Sequence, residues 1–272
     1  MDASMWVAKT GLSAQSTRMT VIANNLANVN TIGFKKDRAN FEDLLYQRIV
    51  QAGAQADATA ETPTGLMLGT GTRVVSTEKI HRQGNMIATE NSLDVAIAGD
   101  GFFAVQQADG TTAYTREGAF KISNEGTLVT GGGEPLIPAL NIPQDAASIT
   151  IGRDGTVSAE LAAGGGLSQI GQFQVTRFAN PAGLTPMGRN LYAPTNASGD
   201  PIVGIPGDQG AGMLTQGVLE ASNVNVVEEM VNMIETQRAY EINSKAIAAA
   251  DDSLRLDLGG RRIIKTRWLP YD

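Results

Sequence analysis

The chain has 272 residues, 42% of them apolar and 18% charged, which is enough for a sizeable folded core in one or two domains. With no Cys and a single His, it excludes a disulfide framework, a thiol nucleophile and any thiolate or multi-histidine metal site. The net charge of −7 is uneven: residues 1–40 and 261–272 are each net +3 and residues 41–260 are net −13, a balance that disfavours non-specific nucleic-acid binding.

Residues 1–10 lack the basic region followed by an apolar block that marks a Sec signal peptide. No apolar run reaches the 18 residues a membrane-spanning helix needs. Positions alternately three and four apart, Met5, Ala8, Leu12, Gln15, Met19, Ile22, Leu26 and Val29, are apolar at seven of eight places. This heptad stripe predicts a first helix of about 25 residues. Asn24, Asn25, Asn28 and Asn30 suit a helix end, because Asn bonds to nearby backbone and tolerates left-handed geometry. Gly33 is expected to supply the turn that follows.

Residues 47–65 are small, polar and aperiodic beyond Val50, and read as a long extended connector. Over 71–221 the signal changes to short apolar runs punctuated by turns. Asp109-Gly110 and Asp154-Gly155 sit between such runs, and Asn124-Glu125-Gly126, Gly131-Gly132-Gly133 and Gly164-Gly165-Gly166 are further turn marks. Phe173 and Val175 alternate with Gln172, Gln174 and Thr176. This pattern predicts an antiparallel β domain. A second heptad stripe picks out Val226, Met230, Met233, Gln237, Tyr240, Ser244, Ile247, Asp251, Leu254 and Leu258, with Asn223 as a candidate cap and Glu228 and Glu229 in the first turns. Gly259-Gly260 is expected to end that helix and leave a basic tail over 259–272.

The expected fold is therefore α+β. Terminal helices over 1–32 and 222–258 form a coiled-coil-like domain, 33–70 is a connector, and 71–221 is a β-rich domain. Both helices stay apolar beyond their stripes, at Trp6, Val7 and Val21 and at Val227, Val231 and Ile234. A helix apolar on several sides wants several neighbours. Packing against other copies would provide them; a closed intramolecular helix pair on the β domain is the alternative.

Catalytic signals are weak. His81 is the only candidate imidazole base, and no Gly-x-Ser-x-Gly elbow accompanies it. Gly69-Thr70-Gly71 and Gly99-Asp100-Gly101 lack the third glycine of a dinucleotide loop. Asp109-Gly110-Thr111 lacks the further ligand positions of a calcium loop. No cofactor or metal site is expected.

Several longer stretches carry a resemblance. Ala23-Asn24-Asn25-Leu26-Ala27-Asn28-Val29-Asn30-Thr31-Ile32-Gly33-Phe34-Lys35 resembles the N-terminal motif of the bacterial flagellar rod and hook family. Ser222-Asn223-Val224-Asn225-Val226-Val227-Glu228-Glu229-Met230, followed by Gln237-Arg238-Ala239-Tyr240-Glu241, is similar to its C-terminal motif. The stretches 94–103 and 114–120 resemble its central motifs. Phe41-Glu42-Asp43-Leu44-Leu45-Tyr46-Gln47 and 148–155 look most like the distal rod branch.

The resemblance implies a non-enzymatic subunit of a helical homopolymer, the tubular shaft that carries torque through the periplasm and the outer-membrane rings to the hook. Its terminal helices would form an inner coiled-coil tube around an export channel, with the β domain outside. Implied partners are further copies, proximal rod and hook subunits or their junctions, the bushing rings and the flagellar type III export apparatus. No cleaved signal, nucleic acid or membrane insertion is implied. The expected assembly residues are Met5, Leu12, Met19, Ile22, Asn25, Leu26, Val29, Gly33, Phe34 and Tyr46, with Val226, Met230, Met233, Tyr240 and Ile247. A proximal rod or hook subunit is the nearest alternative, and a secreted β-rich wall hydrolase bound to the rod the more distant one. Ala52 stands where the distal rod pattern commonly has Pro.

Overall fold

A computed structural model describes the backbone of residues 3–51, 55–57, 60–61, 64–161 and 166–265. It resolves two compact units. One comprises residues 1–24, 38–77 and 227–272, and the other 25–37 and 78–226.

The first unit holds most of helix α1 (Ala3–Ala27) and of helix α2 (Val226–Lys265). Both helices were expected. The break at Gly259-Gly260 does not occur, because α2 continues to Lys265. Glycine weakens a helix by about 1 kcal/mol per residue but does not forbid it. Residues 266–272 of the expected tail lie outside the described residues. Glu228 and Glu229 do occupy the first turn of α2, where acids complement the helix dipole. The helices approach closely at Gly11, where an added Cβ would stand 3.0 Å from Asn243 Nδ2.

The stretch read as a long extended connector forms an antiparallel arm. Strand β1 (Asp37–Asp43) pairs with β6 (Thr72–Lys79). Between them β2 (Tyr46–Val50) pairs with β5 (Leu66–Gly69), and β3 (Gln55–Asp57) with β4 (Ala60–Glu61). The lack of period has a physical cause: all of β2 and β5 is exposed, so neither face is selected for burial. Ala52, with 53–54, 58–59 and 62–63, lies outside the described residues.

The second unit is rich in antiparallel strands, and its β-rich part begins at residue 78, not 71, because most of β6 belongs to the arm. In chain order its strands are β7 (Met86–Ala88), β8 (Val95–Ala98), β9 (Phe103–Gln106), β10 (Thr112–Thr115), β11 (Lys121–Ile122), β12 (Leu128–Val129), β13 (Leu136–Ile137), β14 (Ala146–Ile151), β15 (Thr156–Leu161), β16 (Leu167–Gln172), β17 (Val175–Arg177), β18 (Thr185–Gly188), β19 (Leu191–Ala193), β20 (Ile202–Gly204), β21 (Met213–Gln216) and β22 (Val218–Glu220). A five-stranded sheet runs β13-β9-β10-β19-β18, and a three-stranded sheet runs β14-β15-β16. Asp109-Gly110 and Asp154-Gly155 form the β9–β10 and β14–β15 turns, with each glycine at positive φ and each Asp bonded to the Thr two residues on. Val95, Ile97, Phe103, Val105, Phe120, Leu128, Phe173, Val175 and Leu214 form its main core. Phe103 meets Phe120 and Phe173 edge-on at 5.1 and 5.9 Å between centroids.

Candidate assembly surfaces and the junction beneath them

The helix faces come first, because the expected assembly residues concentrate there. On α1, Ala14 and Ile22 are buried and Met5, Leu12 and Met19 half-buried, while Trp6 and Val7 are exposed. On α2 the positions withdrawn from solvent run through Glu229, Met233, Thr236, Asn243, Ile247 and Ala250, and only part of this row coincides with the heptad stripe. Met233 and Ile247 belong to it, but Val226, Met230 and Tyr240 are exposed. The reason is chemical: much of the inward row is small or polar, and Thr236 satisfies its hydroxyl on the Asn232 carbonyl at 2.6 Å. The large apolar side chains are left outside, with Val227 at 70%, Val231 at 50%, Ile234 at 51% and Ile242 at 67% exposure.

The arm offers a second apolar surface. Leu45, Tyr46, Ile49, Leu66, Met67 and Leu68 are all exposed, Leu45 to 89%. Its base is fastened to α1. Gly71 sits at φ +118°, and a Cβ there would fall 2.1 Å from Thr10 Oγ1. Leu44 N–H donates to the Gly71 carbonyl at 2.9 Å, and Thr70 Oγ1 to the Leu45 carbonyl at 2.6 Å.

Several motif residues between helix and β domain are withdrawn from the surface. Asn25, Gly33 and Phe34 are buried, and Leu26 and Val29 half-buried. Asn25 clamps the returning chain with two bonds: its Nδ2 donates to the Asp37 carbonyl at 2.9 Å, and its Oδ1 accepts from Asp37 N–H at 2.8 Å. Gly33 takes the expected left-handed turn at φ +69°, and a Cβ there would meet the backbone of Arg116 and Glu117 at 2.9 Å. Asn223 does not cap α2, which begins at Val226. Instead it accepts from Lys36 N–H at 2.7 Å and donates to the Ile80 and Arg82 carbonyls at 2.7 and 3.0 Å.

Beneath these clamps lies a buried ionic cluster. Lys35 and Glu220 side chains are 0% and 1% exposed, with Nζ 2.5 Å from Oε1. Arg116 Nε stands 3.1 Å from Glu220 Oε2, and its Nη1 and Nη2 donate to the Gly101 and Gly99 carbonyls, both at 2.8 Å. Lys35 Nζ also donates to the Arg82 carbonyl at 2.8 Å, and Glu220 Oε1 accepts from Gly84 N–H at 2.8 Å. Burial and the Arg116 charge push the Lys35 ammonium below its usual pKa, and Glu220 acts in the opposite sense. Sequence reasoning missed this cluster. Lys35 and Glu220 are 185 residues apart, and no spacing pattern links them.

Other sites are less developed. An open groove of about 570 Å³ is lined by Gln106, Asp109, Glu134 and Arg189, and its Arg189 is already paired with Glu134 at 2.6 Å. Among the described residues no three acidic or histidine side chains gather as a metal site, and no helix is long and apolar enough to cross a membrane.

The chain is an α+β protein with exposed apolar helix faces and an exposed apolar arm, and comparison with known proteins gives its family. Residues 5–35 match the model described as flagella basal body rod protein, 96–159 the flagellar hook protein FlgE/F/G D1 domain, and 215–256 the flagellar basal body rod FlgEFG protein C-terminal model. The flagellar basal-body rod protein FlgG of Buchnera aphidicola subsp. Schizaphis graminum is 54% identical over 255 residues, covering 94% of this chain and 98% of its own. FlgG of Borreliella burgdorferi is 48% identical, covering 93% and 97%, and that of Bacillus subtilis 40%, covering 93% and 96%.

The chain belongs to the flagellar basal-body rod family. Within that family it is most like FlgG, and it is a structural subunit of the distal rod, not an enzyme.

Proposed function

We propose that copies of this chain stack helically into the tubular drive shaft of the distal rod. The exposed apolar residues of the two helices carry this reading. Val227, Met230, Val231, Ile234 and Ile242 are each at least half exposed in the isolated subunit, and burying each against a neighbour would contribute about 1.5–3 kcal/mol. Terminal helices of successive subunits form an inner coiled-coil tube around the export channel, and the β domain faces outward toward the bushing rings. The arm wedges between neighbours through Leu45, Tyr46, Ile49 and Met67. The subunit reaches the rod through the flagellar export apparatus, and it joins proximal rod subunits on one side and the hook side on the other. Asn25, Gly33 and Phe34 serve assembly from within, by shaping the chain that leads into the helices.

The test is a double substitution, Met230→Glu with Ile234→Glu, in the full chain. Light scattering and electron microscopy should show polymer formation reduced at least tenfold, while the near-ultraviolet signal of the β domain is unchanged. Normal polymer from this variant would remove the α2 face from the interface.

A further inference from the structure

The buried charges pose a physical question. Two cations and one carboxylate are withdrawn from water at Lys35, Arg116 and Glu220, where burying charge is costly and apolar residues of similar volume are often as stable. Such a group is better suited to fixing an arrangement than to adding stability. Here it fixes the two chain segments that lead into the helices. Lys35 follows α1, Glu220 ends β22 just before α2, and Arg116 extends from the end of β10. Around the charges, Gly33 N–H donates to the Glu220 carbonyl at 2.8 Å, and Lys36 N–H to Asn223 Oδ1 at 2.7 Å. The segment before α2 is thereby bonded directly to the segment after α1, and both are bonded to the β domain through Arg82, Gly84, Gly99 and Gly101.

We propose that the Lys35–Glu220–Arg116 cluster is a latch that holds the roots of both helices, residues 31–37 and 219–224, side by side on the β domain in the free subunit, so that the helices enter the polymer from a fixed start. Lys35, Arg116 and Glu220 are positioning residues, and they act on assembly through these roots. The proposal rests on the reading of this chain as a self-assembling subunit.

Glu220→Gln leaves Lys35 and Arg116 buried without their shared counter-charge. The least costly relief is local: the root carrying Lys35 detaches into water while the β core stays folded. Hydrogen exchange on the full-length variant should therefore rise at least tenfold across 31–37 and 219–224, with protection over 95–98 and 103–106 unchanged. Its critical concentration for polymerisation should rise at least tenfold. Adding Lys35→Met removes one of the two stranded charges, and the other, Arg116, keeps its bonds to the Gly101 and Gly99 carbonyls, so the Lys35→Met/Glu220→Gln double variant should return both readings to within about threefold of the original chain. Should the single variant fail to fold, the double variant must fold and assemble for the proposal to stand. Unchanged root exchange in Glu220→Gln, or no rescue in the double variant, overturns the latch. Failure of the unsubstituted chain to polymerise would count against the self-assembly reading alone, because the exchange readings test the latch independently.

Discussion

His81, the single histidine of the chain, lies edge-on to Phe102 and Tyr192, with centroids 5.4 and 5.5 Å away. Burial, reinforced by the Lys35, Arg116 and Lys79 charges, lowers its pKa from 6.5 to about 4. The imidazole is therefore neutral in the folded chain at neutral pH, packed among rings and beside cations. Between these two pKa values the unfolded chain binds a proton that the folded chain does not. The associated stability is complete above pH 6.5 and drains away as pH falls toward 4, by about 3 kcal/mol in all. Urea unfolding at steps across that window should show this slope, and His81→Phe should flatten it. A slope that is the same with and without the imidazole would place the acid sensitivity elsewhere.

At the scale of elements, the arm depends on its fastening to α1. Any side chain at Gly71 meets the Thr10 hydroxyl and must also adopt a left-handed backbone. Gly71→Ala should free the base of the arm without touching the β core. Limited proteolysis of the assembled protein, where α1 is ordered, should accelerate several-fold within residues 44–51 and 64–72, with thermal unfolding of the β domain unchanged. Equal cleavage rates in the two proteins would mean that the Gly71–Thr10 contact does not hold the arm. The arm also shows where the sequence is silent. β2 and β5 pair from Tyr46 opposite Gly69 to Val50 opposite Leu66, and with both faces exposed their side chains carry no alternation to read. The β9–β10 and β14–β15 hairpins were legible because Gly110 and Gly155 take φ of 83° and 84°, which Asp-Gly supplies at low cost.

The helices illustrate a partial reading. Apolar periodicity located α1 and α2, but could not say which stripe faces inward. Glu229 and Thr236 are buried while Val227 and Ile242 are exposed, the reverse of what hydrophobicity alone would choose for an isolated subunit. That inversion is what the proposed packing of the helices against neighbouring copies would relieve. Asn25 and Asn223 were legible as helix-end residues by type, but not as clamps on Asp37, Lys36 and Ile80, because those partners are set by the tertiary path. The ionic cluster was invisible for the same reason.

On the proposed function, the whole molecule divides into a core that is complete in the free subunit and helices that are completed by other copies. The boundary falls at the latch. Residues 25–37 and 78–226 form one compact unit, and the helices beyond it present Trp6, Val7, Val227, Val231 and Ile242 to solvent. Among their described residues few side chains are buried, so these have little to offset the entropy of ordering before assembly. Hydrogen exchange on the dilute, monomeric full-length chain, resolved by peptide, tests this most directly. The account predicts fast exchange over 4–24 and 227–250, strong protection over 95–220, and protected roots at 31–37. Strong protection of both helices in a proven monomer would contradict it, because it would mean a closed helix pair that needs no neighbour.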